Sequence, residues 1–186
     1  ILDEHHAVRK NAGLFDVSHM GQIFISGPLA EKFVQIVTTN DVSKIISGQA
    51  QYSAICNDNG CIIDDILVYK LRSSFMLVVN ASDIDEKYNW LKSKQFDGVD
   101  IDNKSSDFSM IALQGPKSRK IIQSIIDDDI SNLRFYNFLQ NVDCLGHDIL
   151  LSRTGYTGEL GFEIYCKHDA VKIIWENILD NFREDG

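Results

Sequence analysis

Asn57-Asp58-Asn59-Gly60-Cys61-Ile62-Ile63-Asp64-Asp65-Ile66-Leu67-Val68-Tyr69 decides how the chain is read. Asn57 to Gly60 is turn chemistry. The run from Gly60 to Tyr69 suits a strand, so the stretch predicts a hairpin with Tyr52–Cys56 as its first strand. Strand side chains alternate between faces. Asp65 then shares a face with Ile63, Leu67 and Tyr69, and Asp64 shares the other with Ile62, Ile66 and Val68. Two carboxylates on opposite faces cannot form an acid–base dyad. Each stands among apolar neighbours, where a charge is costly unless paired. Either acid has a structural partner, in backbone or a lysine, or it awaits a ligand.

Composition narrows the field. The chain has 186 residues, 44% of them hydrophobic, enough for one domain or two small ones. A net charge of −9 argues against a nucleic-acid face. No apolar run reaches the roughly 18 residues of a membrane span, and the start has no signal-peptide pattern. The chain begins with Ile1 and enters a helix at once, while Arg183-Glu184-Asp185-Gly186 stops just past another. It reads as a piece of a longer protein. Cys56, Cys61, Cys144 and Cys166 form no metal-binding spacing and are expected to be buried free thiols, with Cys56 and Cys61 flanking the hairpin turn.

Outward from the hairpin the elements follow in order. Asp3–Asn11 predicts a helix closed by Gly13. Asp16, Ser18 and His19 crowd one loop and do not make a triad, which is a spatial arrangement; His19 reads as packed or hydrogen-bonded. Gln22–Ser26 is a strand, and Pro28 suits the first position of a helix running to Val37. Asp41–Ser47 is a short helix or turn. Phe75–Asn80 continues the sheet, Ser82-Asp83 caps a helix to Lys94 with Ile84, Tyr88 and Leu91 inward, and Phe96–Lys104 is a strand broken at Gly98. Met110–Gln114 is a strand, followed by Gly115-Pro116 and a helix to Ile126. Both prolines of the chain sit in this strand–Gly-Pro–helix setting, 88 residues apart. Ile23–Pro28 mirrors Ile111–Pro116, so two similar α+β units are expected. A strand precedes Arg153, and a helix opening at Asp169 turns Val171, Ile174, Trp175, Ile178 and Phe182 inward.

Gly155, Gly158 and Gly161 lack the Lys-Ser/Thr of a phosphate loop and the spacing of a dinucleotide fingerprint. A plain hairpin loop accounts for them. Arg153, Tyr156 and Glu163 nevertheless gather there, offering a cation, a flat ring and a carboxylate suited to a flat heterocycle with adjacent N–H donors. A simple Arg153–Glu163 pair fits equally.

These stretches together resemble the glycine cleavage system T-protein family of tetrahydrofolate-dependent aminomethyltransferases. The resemblance is borne by Glu4–Arg9, Gly13–Gly21, Val37–Asp41, Ile62–Tyr69, Val78–Ser82, Leu113–Pro116 and Ser152–Glu159, in the family's order along nearly the whole chain. It implies an α+β protein with the folate-binding T-protein N-terminal fold: two similar antiparallel-sheet-plus-helix units, the second inserted in the first. The first domain would take residues 1–20 and 106–186, the second residues 21–105, and a C-terminal barrel-like domain would lie beyond. By the same resemblance Asp65 is the catalytic acid, Glu163 holds the pterin head, and Met20, Tyr52, Tyr69, Asn80 and Tyr156 line the folate pocket; Arg153 joins the cofactor-binding candidates from the reading of the glycine loop. Cys61 departs from the family, which usually has a second glycine there. Tetrahydrofolate would be the co-substrate, no metal is implied, and the lipoyl-bearing H-protein would be the partner. Nucleic acid and membrane are not implied, and bacterial cytoplasm is favoured over the mitochondrial matrix.

The implied chemistry brings two large substrates into one water-poor pocket, where Asp65 stabilises developing positive charge and orients the attacking amine. Whether it also takes a proton is left open by the sequence. Asp65 is accordingly expected to project from an apolar ribbon into a cavity. Alternatives are a sister folate-dependent demethylase, a non-catalytic folate-binding relative, whose Lys-Gly-Cys-Tyr type of motif is absent, and a chain that folds but binds nothing tightly.

Overall fold

The computed structural model describes residues 1–182. The chain forms two compact units: Ile1–Ser18 together with the chain from Asp107 on, and His19–Ser106 between them in sequence. In chain order the elements are helix α1 (Leu2–Lys10), strands β1 (Gly13–Asp16) and β2 (Gly21–Ser26), helix α2 (Ala30–Val37), strands β3 (Gln49–Cys56), β4 (Ile62–Lys70) and β5 (Phe75–Val79), helix α3 (Ile84–Ser93), strands β6 (Asp100–Asn103) and β7 (Ser109–Gln114), helix α4 (Ser118–Gln123), strands β8 (Phe138–Cys144), β9 (His147–Ser152) and β10 (Gly161–Cys166), and helix α5 (His168–Phe182). Residues 183–186, read as lying past the last helix, fall outside the described residues.

Each unit is one five-stranded sheet, ordered β6-β2-β5-β4-β3 in one and β1-β7-β10-β9-β8 in the other. The pairings are antiparallel. The fold is therefore α+β, with two similar sheet-plus-helix units. The helices cover one face of each sheet, and the apolar clusters lie between. Ile23, Ile25, Ile55, Ile66, Val68, Leu77 and Ile101 meet Phe33, Val34 and Val37 of α2 and Leu91 of α3. In the other unit Ile111, Leu113, Leu151, Phe162 and Ile164 meet Ile121 and Ile122 of α4 and Ile174 and Ile178 of α5.

The repeated Gly-Pro setting is real in three dimensions. Gly27 and Gly115 both have positive φ, +99° and +131°, and a Cβ on either would lie 2.5 Å from a backbone oxygen, that of Gly98 or of Asn11. Only glycine fits such a turn. In both units the residue after proline then donates its N–H to that same oxygen: Leu29 to Gly98 at 3.1 Å and Lys117 to Asn11 at 2.9 Å.

Several boundaries differ from the sequence reading. Gly60 and Cys61 belong to the turn, so β4 begins at Ile62. The prolines sit in the turn before each helix, not at its first position, because the turn is closed first by Ala30 N–H to Gly27 and Ser118 N–H to Gly115. Helix α4 ends at Gln123, where Gln123 Nε2 and Oε1 take up Asp128 and Ile130 backbone groups. Gly13 opens β1 rather than closing α1, and Asp83 is left-handed (φ 55°) and makes no side-chain cap. His19 is exposed, not packed. Strand β8 escaped the reading because a register shift at Leu139/Val142, with Asn141 at φ 57°, interrupts its alternation.

All four cysteines are free, but only Cys144 and Cys166 are buried; Cys56 is half-buried and Cys61 exposed at the turn. Burial pushes the Cys144 thiol up to about 12 and the Cys166 thiol up to about 11. Folding thus raises both above 9.0, so their contribution to stability is intact below that value and is lost as pH rises through 11 to 12. Alkylation of the folded protein at pH 8 should modify Cys61 and leave Cys144 and Cys166 until denaturant is added. Equal labelling of all four would contradict this packing.

Candidate functional site

Strand β4 sends its two aspartates to opposite faces, as alternation requires. Asp64 lies with Ile66 and Val68 on the core side and is 7% exposed. Its charge is met there by Lys87 of α3, itself 3% exposed, at 2.9 Å from Asp64 Oδ2. The lysine stem runs in the helix face that also carries Ile84 and Leu91, so its ammonium reaches inward. Its other protons go to the carbonyls of Asn80, at 2.8 Å, and Ser82. Three donors meet three acceptors, the condition for burying an ammonium.

Asp65 stands on the other face. Register places Tyr52 and Val78 beside Leu67, Ala50 and Met76 beside Tyr69, Gln22 beside Val78, and Gly21 beside Val79. The predicted residues Tyr52, Asp65 and Tyr69 therefore share the sheet face turned away from α2 and α3. Met20 and Asn80 adjoin it at the ends of β2 and β5. Asp65 is held by both oxygens: Tyr52 Oη donates to Oδ2 at 3.1 Å, and Asn80 Nδ2 donates to Oδ1 at 3.1 Å. Contrary to the expected apolar cavity, Asp65 is exposed and Tyr52 is 54% exposed. Tyr69 is fully buried and Met20 half-buried, its carbonyl accepting from Gln22 Nε2 at 2.8 Å.

In the other unit Glu163 occupies the corresponding helix-free face of β10, opposite Ala112 and Ser152. It is 5% exposed, accepts from Thr154 Oγ1, and has Tyr165 Oη at 3.4 Å. Tyr136 and Tyr156 are also close enough to feel it. Burial first, and the Glu163 charge second, push both phenols above their ordinary value. Tyr156 is 61% exposed and meets Phe15 edge-on, with ring centroids 5.9 Å apart. Arg153 takes a different part from the Glu163 pair considered above: Nη1 donates to the Leu133 carbonyl at 2.9 Å, and its buried Nε has no hydrogen-bond partner.

The glycine loop is shaped by a residue the sequence reading passed over. Gln114 is fully buried, and a Cβ at Gly155 or Gly161 would come within 2.0 or 2.2 Å of its amide. Its Nε2 donates to the carbonyls of Thr154 and Phe162, and its Oε1 accepts from Thr157 at 3.0 Å. Arg9 of α1 holds the loop tip through the Thr157 carbonyl at 2.8 Å and Glu159 at 3.0 Å. Gln114, Thr154, Tyr136 and Lys87 are thus the missed members. A lone glutamine ending an apolar strand was the available signal for Gln114. Among the described residues there is no group of three His, Cys, Asp or Glu suited to a metal ion, and no helix long and apolar enough to cross a membrane.

Fold and site together define a two-unit α+β protein that packs helices on one face of each sheet and gathers acids and aromatic rings on the other. The chain belongs to the glycine cleavage T-protein family: residues 1–186 match the model of the GCVT N-terminal domain. It is 48% identical to an aminomethyltransferase of Lysinibacillus sphaericus (strain C3-41), over 100% of this chain and 51% of that protein. An aminomethyltransferase of Halalkalibacterium halodurans is 43% identical, over 100% and 51%. The chain therefore spans about half the length of these relatives. Among solved structures, the glycine cleavage system aminomethyltransferase T from Bartonella henselae superimposes with a TM-score of 0.87 at 30% identity, over 98% of this chain and 49% of that one. A heterotetrameric sarcosine oxidase from Corynebacterium sp. U-96 shares the fold, with a TM-score of 0.71 at 13% identity.

Two outcomes test this geometry without reference to activity. Lys87→Met should cost about 3–5 kcal/mol in urea unfolding, because it strands a buried carboxylate; a loss below about 1 kcal/mol would show that the pair is not buried. Glu163→Gln should bring the spectroscopic titration of Tyr136 and Tyr156 to lower pH, since it removes a negative charge that opposes tyrosinate. An unchanged titration would place Glu163 elsewhere.

Proposed function

We propose that this chain is the N-terminal two-domain portion of a tetrahydrofolate-dependent aminomethyltransferase of the glycine cleavage system. It would act on an aminomethyl group carried on a sulfur of the lipoyl arm of the H-protein, releasing ammonia, passing the carbon to tetrahydrofolate and freeing the arm as its dithiol. The observation that carries the reading is the exposed acid Asp65, fixed at both oxygens on a sheet face shared with Tyr52 and bordered by Asn80 and Met20. The names of the 43–49% identical relatives support the class of reaction.

The residues present fit a folate. Glu163 is a carboxylate almost out of water beside three tyrosines, which suits a flat ring with adjacent N–H donors. By the family resemblance Tyr156, in the same unit, and Met20, Tyr52, Tyr69 and Asn80, in the other, would each also be folate contacts, while Arg153 holds the Leu133 carbonyl. When bound, tetrahydrofolate supplies the amine that accepts the carbon. Asp65 would accept a hydrogen bond from that amine and hold its negative charge against the cationic carbon as ammonia departs. Tyr52 and Asn80 keep the carboxylate aimed before the reactants arrive, so little reorganisation remains. Because Asp65 is exposed on this chain, exclusion of water would come from the bound substrates. The bacterial relatives favour a cytoplasmic setting.

The test is ammonia release by the full-length enzyme from an aminomethyl-lipoyl carrier with tetrahydrofolate. Asp65→Asn should lower kcat by about 10²–10³-fold with folate affinity changed far less. Glu163→Gln should instead weaken folate about 10- to 100-fold. Near-normal turnover by Asp65→Asn would remove Asp65 from the reaction.

A further inference from the structure

A buried ion pair is weak support for a fold, since an apolar pair of similar volume serves as well. The Asp64–Lys87 pair has a second property. Asp64 Oδ2 accepts the Asn80 backbone N–H at 2.9 Å and Oδ1 accepts Asn80 Nδ2 at 2.8 Å. Lys87 meanwhile grips the Asn80 carbonyl at 2.8 Å. Asn80 is thus clamped at its N–H, its C=O and its side chain by one ion pair. Its Nδ2 also reaches the Asp65 carbonyl at 3.0 Å and Asp65 Oδ1 at 3.1 Å. A turned-over amide would press its oxygen against two carboxylates, so the NH2 end is fixed toward Asp64 and Asp65. Lys87 also cancels the charge of Asp64, so the negative charge beside the reactants is that of Asp65 alone.

We propose that Lys87 is a positioning residue for the transfer reaction. Through Asp64 it locks Asn80, and Asn80 holds the Asp65 carboxylate in its reactive orientation. This rests on the role proposed above for Asp65.

A double-mutant cycle in the full-length enzyme separates this from mere structural support. The paired replacement Asp64→Leu with Lys87→Met leaves no stranded charge. It should lower kcat by about 30- to 100-fold, with the dissociation constant for tetrahydrofolate within about threefold. Added to Asp65→Asn, the same pair should cost no more than about threefold further, because the group it positions is already disabled. A pair that turns over within threefold of wild type while Asp65→Asn is crippled overturns this inference and leaves the Asp65 assignment intact. So does a loss that multiplies in full onto Asp65→Asn. Wild-type turnover by Asp65→Asn alone would instead sink the assignment itself. Lys87→Arg, run in parallel, keeps the charge and secures a folded sample if the apolar pair does not fold. Its planar fork cannot serve the same three acceptors, so kcat should drop about tenfold, again only while Asp65 is present; an unchanged kcat overturns the proposal.

Discussion

Two adjacent acids on one strand cannot share a face, and the chain answers that constraint by giving them different lives. Asp64 must enter the core side of β4, where a lone charge is untenable, so α3 brings Lys87 to meet it. Asp65 must leave on the other side, where Tyr52 and Asn80 take its two oxygens. The same alternation that buries Ile66 and Val68 on one face thus delivers Asp65 to the other, and Lys87 of α3 meets the charge of Asp64. Structure and candidate chemistry are coupled through Asn80, which touches both.

The other unit, residues 1–18 and 107 on, is built on the same plan without an adjacent acid pair in its strands. Its sheet has the same order, with the outer strand contributed first in the chain (β1) and not last (β6). Both units close the strand-to-helix turn with a glycine pressed on the backbone before the outer strand. This equivalence accounts for the repeated Gly-Pro setting better than chance use of a common turn. In one unit β4 carries Asp65; in the other it is β10, the counterpart of β5, that carries Glu163, and Gln114 packs between two glycines to shape the loop nearby. Thr154 and three tyrosines surround that acid.

What could be read from the sequence followed from period and turn chemistry. The hairpin, the opposed aspartates, the repeated Gly-Pro turns and the inward face of α5 all rest on local rules. Lys87 did not reveal itself, because a lysine between Asp85 and Tyr88 looks solvated and its acceptors are set by tertiary packing. The glycines at 155 and 161 read as a plain hairpin loop, whereas they make room for a glutamine about 40 residues earlier in the chain or more. Exposure of Asp65 was also out of reach, since it depends on which sheet face the helices leave open. The pocket roles of Met20 and Tyr69 came from resemblance, that of Arg153 from its place beside the glycine loop, and the geometry gives Arg153 a bracing contact to Leu133.

The central claim is that Asp65, and not Asp64, faces the reactants. Carbodiimide-driven amide labelling of carboxylates, read by peptide mass spectrometry on the folded full-length enzyme, tests it directly. Asp65 should be modified and then protected by tetrahydrofolate, while Asp64 stays unlabelled under both conditions. Modification of Asp64 at a rate matching Asp65, or labelling of Asp65 that the folate leaves unchanged, would contradict the account.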